Sequence, residues 1–314
     1  MSQNNLTSVV VGNRASISKP RLGLARKRAI IRFLFILPTL IFLAAMFVFP
    51  IIYNMIMSLE NYTTISIATG NAPFVGLQNY IQLFQMPLMS QATWNTLEFV
   101  IGSILFQVII GMAMALFFKR DFPFSTFLRT LILLPWLLPL IVTGTIFKWI
   151  FDQSHGVLNY ILMQLHIIHA PIGWLISPNM ALISVIITNI WVGIPFDMVL
   201  FHSGLQQIPD ELYEASSLDG ANRWQQFIHV TIPLLRPVLA IVLMLALIYT
   251  LKVFDIIQVM TGGGPANTSQ ILSTWSYTLS FQDMSFGQGA AVGNIMIVIS
   301  LFFSYFYLRF TKES

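Results

Sequence analysis

Few residues in this chain of 314 are equipped for chemistry. It has no cysteine, so disulfides, thiolate nucleophiles and thiolate-bound metals are excluded. His155, His166 and His169 fall in one loop, and His166 and His169 could bring two imidazoles together. No third ligand accompanies them, so no metal site is expected. Asp197 and Asp255 both lie in apolar surroundings. As an aspartyl pair they would support hydrolysis within a membrane, yet neither has a companion motif, and no Ser/His or zinc set occurs. Gly262-Gly263-Gly264-Pro265 has the glycines of a phosphate cradle, but Gly-x-x-x-x-Gly-Lys-Ser/Thr occurs nowhere. The chain is therefore expected to be non-catalytic and to carry no cofactor of its own.

The remaining charged residues suit binding better than bond breaking. Charge inside an apolar span is costly and marks a functional candidate. Asp197 sits beside Gly193 and Pro195, where a broken helix would line a cavity and a carboxylate would accept hydrogen bonds from sugar hydroxyls. Its alternative is a structural role. Lys252 and Asp255 are three apart, so on one helix they would face each other as a structural pair. Glu98 and Lys148 read as anchors at the outer interface. Gly289-Ala290-Ala291-Val292-Gly293 has the small-residue spacing of helix packing.

These residues must be positioned by membrane helices. The chain is 56% hydrophobic and 9% charged, with a mean hydropathy of +0.76. A soluble domain averages about 25% charged residues, which excludes a soluble enzyme and a disordered tail. Six stretches are long and apolar enough to cross a bilayer: 33–57, 94–118, 131–151, 180–204, 238–259 and 290–308. They are too long and unbroken for barrel strands, so an all-α polytopic protein is expected. Of the 16 Lys and Arg residues, 14 lie in residues 1–32, the second-to-third and fourth-to-fifth connections, and the tail. The loops 58–93, 152–179 and 260–289 have none. Basic loops stay inside, so both termini are expected to be cytoplasmic. The first apolar run exceeds the core of a signal peptide and is expected to remain as a span. Residues 74–80 could begin a short amphipathic helix on the membrane surface.

One cytoplasmic segment is unlike a plain connector. In residues 208–233, Pro209 suits the first helical position, and Asp210, Glu211 and Glu214 follow where acids complement the helix dipole. Leu212, Ala215 and Leu218, then Trp224, Phe227 and Ile228, have helical apolar spacing. Gly220 permits a bend between them, and Pro233 ends the second piece. Two short amphipathic helices joined at a glycine make an elbow that a partner can grip.

This segment resembles the EAA loop of the membrane subunits of binding-protein-dependent ABC importers. The family pattern is Glu-Ala-Ala, three residues, Gly, nine residues, then Ile-x-Leu-Pro. Glu214-Ala215-Ser216, Gly220 and Val230-Thr231-Ile232-Pro233 keep that spacing, with Ser for the second Ala, Val for Ile and Ile for Leu. Further matching stretches are Ile132 to Pro139, Phe151 to Asn159, and Phe254-Asp255 through Gly264-Pro265. Similarity covers about residues 30–310 and is closest to the carbohydrate-uptake branch, the maltose-type first permease, in its shorter form without extra N-terminal spans or a large outer insert. The resemblance implies a type I ABC importer transmembrane fold, with a basic N-terminal segment 1–32, a first helix 33–57 that wraps a partner, a transmembrane domain 92–310 and a coupling loop 208–233.

The resemblance also implies site residues. Glu214, Ala215, Ser216, Leu218, Asp219, Gly220 and Ala221 would contact an ATPase subunit. Val192, Gly193, Phe196, Ala246, Thr250 and Val253 would line the substrate path, joined by Asp197. The amide-rich set of the maltose site is missing there, so the place carries over and the ligand does not. The implied partners are a second permease subunit, two ATP-binding subunits that hold ATP and Mg, an extracytoplasmic sugar-binding protein and the lipid bilayer, with no nucleic acid. The implied location is the cytoplasmic membrane of a bacterium or archaeon. The alternative is an ion-coupled secondary carrier that acts without an ATPase.

Overall fold

A computed structural model describes residues 22–120 and 122–312. Arg14, Lys19 and Arg21 of the basic N-terminal segment lie outside the described residues. The chain divides into two units, residues up to Tyr53 and residues from Asn54.

The first unit is helical. Helix α1 (Leu22–Leu43) runs through a π turn (Ala44–Val48) into α2 (Phe49–Ser58). The π turn lies just before Pro50, whose ring and missing N–H interrupt the regular i to i−4 ladder. Large apolar side chains point outward all along it, with Phe35 81% exposed. A helix apolar on every side needs lipid or a protein partner around it.

The second unit takes in the end of α2 and continues with two short helices, α3 (Thr64–Thr69) and α4 (Gln78–Gln85). The amphipathic helix expected from residue 74 begins at Gln78. Next come α5 (Pro87–Phe118), α6 (Ser125–Ile132), α7 (Leu134–Leu137), α8 (Leu140–Ile150) and α9 (Val157–Gln164). Then follow α10 (Ala181–Leu205), α11 (Asp210–Leu218), α12 (Arg223–Gln226) and α13 (Ile232–Leu251). The unit closes with α14 (Asp255–Met260), α15 (Leu272–Tyr277) and α16 (Phe286–Lys312). Among the described residues there is no strand, only the isolated bridges Glu60 to Phe74 and Thr63 to Ser285.

Five helices are long and apolar enough to span a membrane, and a sixth span exists if a bent pair is counted as one. That pair corrects the expectation of an unbroken span over 131–151: 125–137 and 140–150 meet at 96°. The cause is Pro139. A residue before proline is pushed out of the helical region, and Leu138 has ψ 140°. A second correction falls on 238–259, where α13 ends at Leu251 and α14 begins at Asp255. The Ser273 hydroxyl donates to the Val253 carbonyl at 2.6 Å and holds the chain in this break. A third concerns 180–204, which is not interrupted: Gly193 and Pro195 lie inside the continuous α10.

Lipid tails are as apolar as leucine, so close packing of small residues holds membrane helices together. Helix α10 packs along α5. A Cβ on Gly111 of α5 would lie 2.8 Å from the Cβ of Asp197 on α10. A Cβ on Gly204 would lie 2.8 Å from Leu235 and Val238 of α13. Gly289 of α16 accepts a 2.8 Å hydrogen bond from the Ser276 hydroxyl of α15, which fits the expected packing role of its small-residue run.

The loop after α8 is built around one amide. Asn159 donates to the carbonyls of Gln153 and Ile172 at 3.1 and 2.9 Å and accepts from Ile172 N–H and Trp174 Nε1 at 3.2 and 2.9 Å. At the loop's start, the backbone N–H of His155, seconded by that of Ser154, holds the Asp152 carboxyl below its ordinary value of 3.8. Asp152 therefore secures this turn above the carboxylate range and releases it as pH falls.

Candidate functional site

Two places gather the residues singled out in the sequence. The first is a cavity of about 590 Å³ bounded by α5, the bend between α7 and α8, α10 and the end of α13. Val192, Gly193, Phe196, Asp197, Ala246, Thr250 and Val253 all line it. Val192 with Phe196, and Gly193 with Asp197, are each four apart, so the two pairs form adjacent stripes of α10 that line it. Ala246, Thr250 and Val253 face them from α13 and its frayed end.

The walls are aromatic and polar by turns. Trp136 stacks on Phe196, with ring centroids 5.3 Å apart and planes 23° from parallel, and Tyr249 meets Phe196 edge-on at 5.9 Å. The 96° bend is what brings Trp136 to α10. Across the cavity the Gln107 amide donates to the Asn189 carbonyl at 2.8 Å. A Cβ at 193 would push aside the end of the Gln107 side chain and disturb its bond to Asn189. Asp197 is 1% exposed, and its Oδ2 has no hydrogen-bond partner. Asn189 Nδ2 is likewise buried and unpartnered. A buried polar atom with no partner is rare and points to a missing one.

Lys252 and Asp255 also line this cavity, but not as the expected pair. The helix stops between them. Among the described residues, Lys119 pairs with Asp210 and His155 Nδ1 lies 3.6 Å from Asp152, while the Lys252 ammonium sits over the Tyr249 ring at 4.6 Å. Lys148 is not simply a surface anchor: its ammonium donates to the Val259 carbonyl at 3.1 Å and ties α8 to α14. Glu98 is exposed on α5. Among the described residues no cluster of three metal-ligating side chains occurs, and His166 and His169 join none.

Sequence reasoning missed Gln107, Trp136, Asn189 and Tyr249 as cavity residues. Gln107 and Asn189 carried a usable signal, being amides inside apolar runs. Trp136 had none, since only the bend delivers it.

The second place is the elbow. Helix α11 ends in a turn whose hydrogen bonds identify it: Gly220 N–H donates to the Ser217 carbonyl at 3.0 Å and Ala221 N–H to the Ser216 carbonyl at 2.9 Å. This is a Schellman motif, which requires a left-handed residue at its center, and Gly220 has φ +82°. Asn222 then caps α12, with Gln225 N–H to Asn222 Oδ1 at 2.9 Å and Asn222 N–H to Gln225 Oε1 at 2.7 Å. Gln226 clamps the two arms, donating to the Tyr213 carbonyl, Ser216 Oγ and Ser217 Oγ at 3.1, 3.1 and 2.7 Å.

Glu214, Ala215, Leu218, Asp219 and Gly220 are exposed, with Leu218 at 90%, while Ser216 and Ala221 are partly buried under the turn. At the base, the Lys119 ammonium lies 3.6 Å from Asp210 and 4.0 Å from the Tyr213 ring centroid. The Tyr213 and Thr231 hydroxyls bond at 2.9 Å. Two details differ from expectation. Pro209 caps α11 from outside, with ψ 134°, instead of beginning it. Pro233 does not end the second arm: a π turn (Phe227–Thr231) absorbs it, and residues Arg223–Leu251 form one helix from the elbow into the membrane.

A family model described as "Binding-protein-dependent transport system inner membrane component" matches residues 107–313. A probable ABC transporter permease protein of Bacillus subtilis is 32% identical, over 92% of this chain and 98% of its own length. The trehalose/maltose transport system permease protein of Thermococcus litoralis is 32% identical, over 98% and 97%. The sulfoquinovosyl glycerol transport system permease protein of Agrobacterium fabrum is 33% identical, over 89% of both. Among solved structures, a chain of a bacterial ABC transporter involved in import of the acidic polysaccharide alginate superposes with a TM-score of 0.79 at 24% identity, covering 93% of this chain and 99% of that one. That likeness is one of fold.

Proposed function

We propose, since this chain belongs to the family of binding-protein-dependent transport system inner membrane components, that it forms half of the path by which a sugar or oligosaccharide enters the cell. The chain is a multi-pass ABC importer permease and is itself non-catalytic. The ion-coupled carrier finds no support among its relatives.

The observation that carries the proposal is the joining of the two places by one helix. Arg223–Leu251 begins as the second arm of the elbow and ends beside the cavity at Thr250. In the proposed cycle, two separate ATPase subunits seat the exposed Glu214, Ala215, Leu218 and Asp219, with Ser216, Gly220 and Ala221 shaping the turn beneath them. ATP and Mg stay with those subunits. Their closure moves the elbow, and differential contacts in the two states shift the cavity between outward and inward access. A second permease supplies the facing wall, and an extracytoplasmic sugar-binding protein delivers the substrate. Aromatic faces such as Trp136 and Tyr249 suit the apolar faces of a sugar ring, while Asp197, Asn189 and Gln107 suit its hydroxyls. Sugar substrates in the names of the Thermococcus and Agrobacterium relatives support this class. The absence of Lys and Arg from loops 58–93, 152–179 and 260–289 supports an orientation with both termini in the cytoplasm of a bacterium or archaeon.

The test is ATP hydrolysis by the assembled four-subunit complex, measured with its binding protein across a panel of sugars. One sugar or a related group should stimulate hydrolysis and enter vesicles with it. Uptake driven by an ion gradient without ATP would overturn the proposal.

A further inference from the structure

Among the described residues, Arg129 on α6 is a cation with no anion within ion-pair distance. Its Nη1 donates to His202 Nε2 of α10 at 2.6 Å and its Nη2 lies 3.5 Å from Thr126 Oγ1, both neutral acceptors. Its Nε is buried and has no acceptor. Among the described residues no carboxylate lies within ion-pair distance of it. A guanidinium carries five donors in a planar fork that matches phosphate, and partial burial without a counter-charge is costly. Beside it is a hollow of about 360 Å³, whose walls include the hydroxyl residues Thr126 and Ser203 and the apolar Leu133, Met198 and Val199. The neighboring Phe127 and Leu128 are exposed apolar residues on the same short helix. The hollow thus joins a cation to apolar walls, with further exposed apolar surface on the same helix.

We propose that the hollow between Arg129 and His202 binds the phosphate head group of an anionic phospholipid from the cytoplasmic leaflet. Charge complementarity selects the phosphate, and the apolar walls together with the exposed Phe127 and Leu128 of the same helix select a lipid over a free anion. Basic pockets between helices on the cytoplasmic side are suited to such head groups. The placement rests on the orientation proposed above, whereas the charge and the hollow do not. The lipid completes the donor set of Arg129 and fixes α6 against the end of α10, just before the elbow.

The test uses the assembled transporter in detergent, titrated with phosphatidylglycerol or phosphatidylcholine and read by native mass spectrometry. The wild type should hold phosphatidylglycerol preferentially. Arg129→Gln should lower that preference about tenfold, the scale of one lost charge-assisted contact. Ser203→Leu, which fills the hollow from an exposed position, should do the same without touching the cation, and it decides the matter if Arg129→Gln fails to assemble. Arg120→Gln, an exposed cation outside the hollow, should keep the preference. Unchanged binding in Ser203→Leu, or an equal loss in Arg120→Gln, would overturn the proposal in favor of diffuse attraction. Full displacement by inorganic phosphate would overturn the lipid and leave a soluble-anion site. If instead the transporter proved inverted in the membrane, the lipid would still bind, and only the leaflet would change.

Discussion

At Gly220 the sequence required a bend, and the structure shows what kind. A Cβ there would meet nothing within 4 Å, so the site has room, yet φ is +82°. The cost of a side chain is therefore backbone strain, about 1–2 kcal/mol for an ordinary residue and less for Asn, which tolerates the left-handed region. Gly220→Val should abolish uptake while the chain still inserts, and Gly220→Asn should retain much of it. Equal uptake by both variants at the normal rate would remove the elbow from the coupling path. Uptake in vesicles and co-purification of the ATPase subunits measure this. Asp197 makes the complementary case. Asp197→Asn keeps the shape that fits against Gly111 but removes the carboxylate. It should lower uptake and leave assembly and basal hydrolysis intact, whereas normal kinetics would assign Asp197 to packing.

The elbow and the 152–179 loop are each held by a few side chains. Gln226 makes three hydrogen bonds across the elbow. Its amide shares two N–H donors among these three acceptors, so at about 1 kcal/mol for each neutral bond Gln226→Ala should loosen the arms by roughly 2 kcal/mol. Faster hydrogen exchange over 210–226 and fewer sugars moved per ATP are the expected readings. Asn159→Ala should orphan several buried groups and destabilize the 152–179 loop by roughly 2–4 kcal/mol, visible as faster proteolysis there. Hydropathy located the spans but not the breaks within two of them. The 96° bend was written in Pro139, which a window average cannot see. The end of α13 had no local sign, because a hydrogen bond from distant Ser273 holds it.

For the whole molecule, the distribution of Lys and Arg and the six apolar runs were enough to read an all-α membrane protein, and the spacing from Glu214 to Pro233 was enough to read its class. The positions of the cavity residues followed from the resemblance, but the cavity's chemistry did not. It depends on Trp136 and Tyr249 meeting Phe196, a contact among three helices that no spacing rule encodes. Topology remains directly testable. Cysteines placed at the exposed Gly70, Asn179 and Asn267 should react with an impermeant reagent in intact cells, and one at Asn222 should not. Labeling at Asn222 would reverse the orientation.

The unbroken helix from Arg223 to Leu251 sets a mechanical ratio. Its 29 residues make a rod about 43 Å long, at 1.5 Å per residue. If the rod pivots near the membrane end, a swing of about 5° carries the elbow through about 4 Å, while Ala246, some five residues from that end, moves by less than about 1 Å. If it pivots at the elbow, the proportions reverse, and the same swing slides Thr250 across the width of a sugar hydroxyl. The fulcrum therefore decides whether the stroke of the ATPase is spent at the grip or delivered to the cargo. The tight seat of Gly204 against Leu235 and Val238, between those ends, is the place where the rod is pinned to its neighbor. It divides the arm almost equally, so a stroke below is returned above in the opposite sense and at nearly the same size.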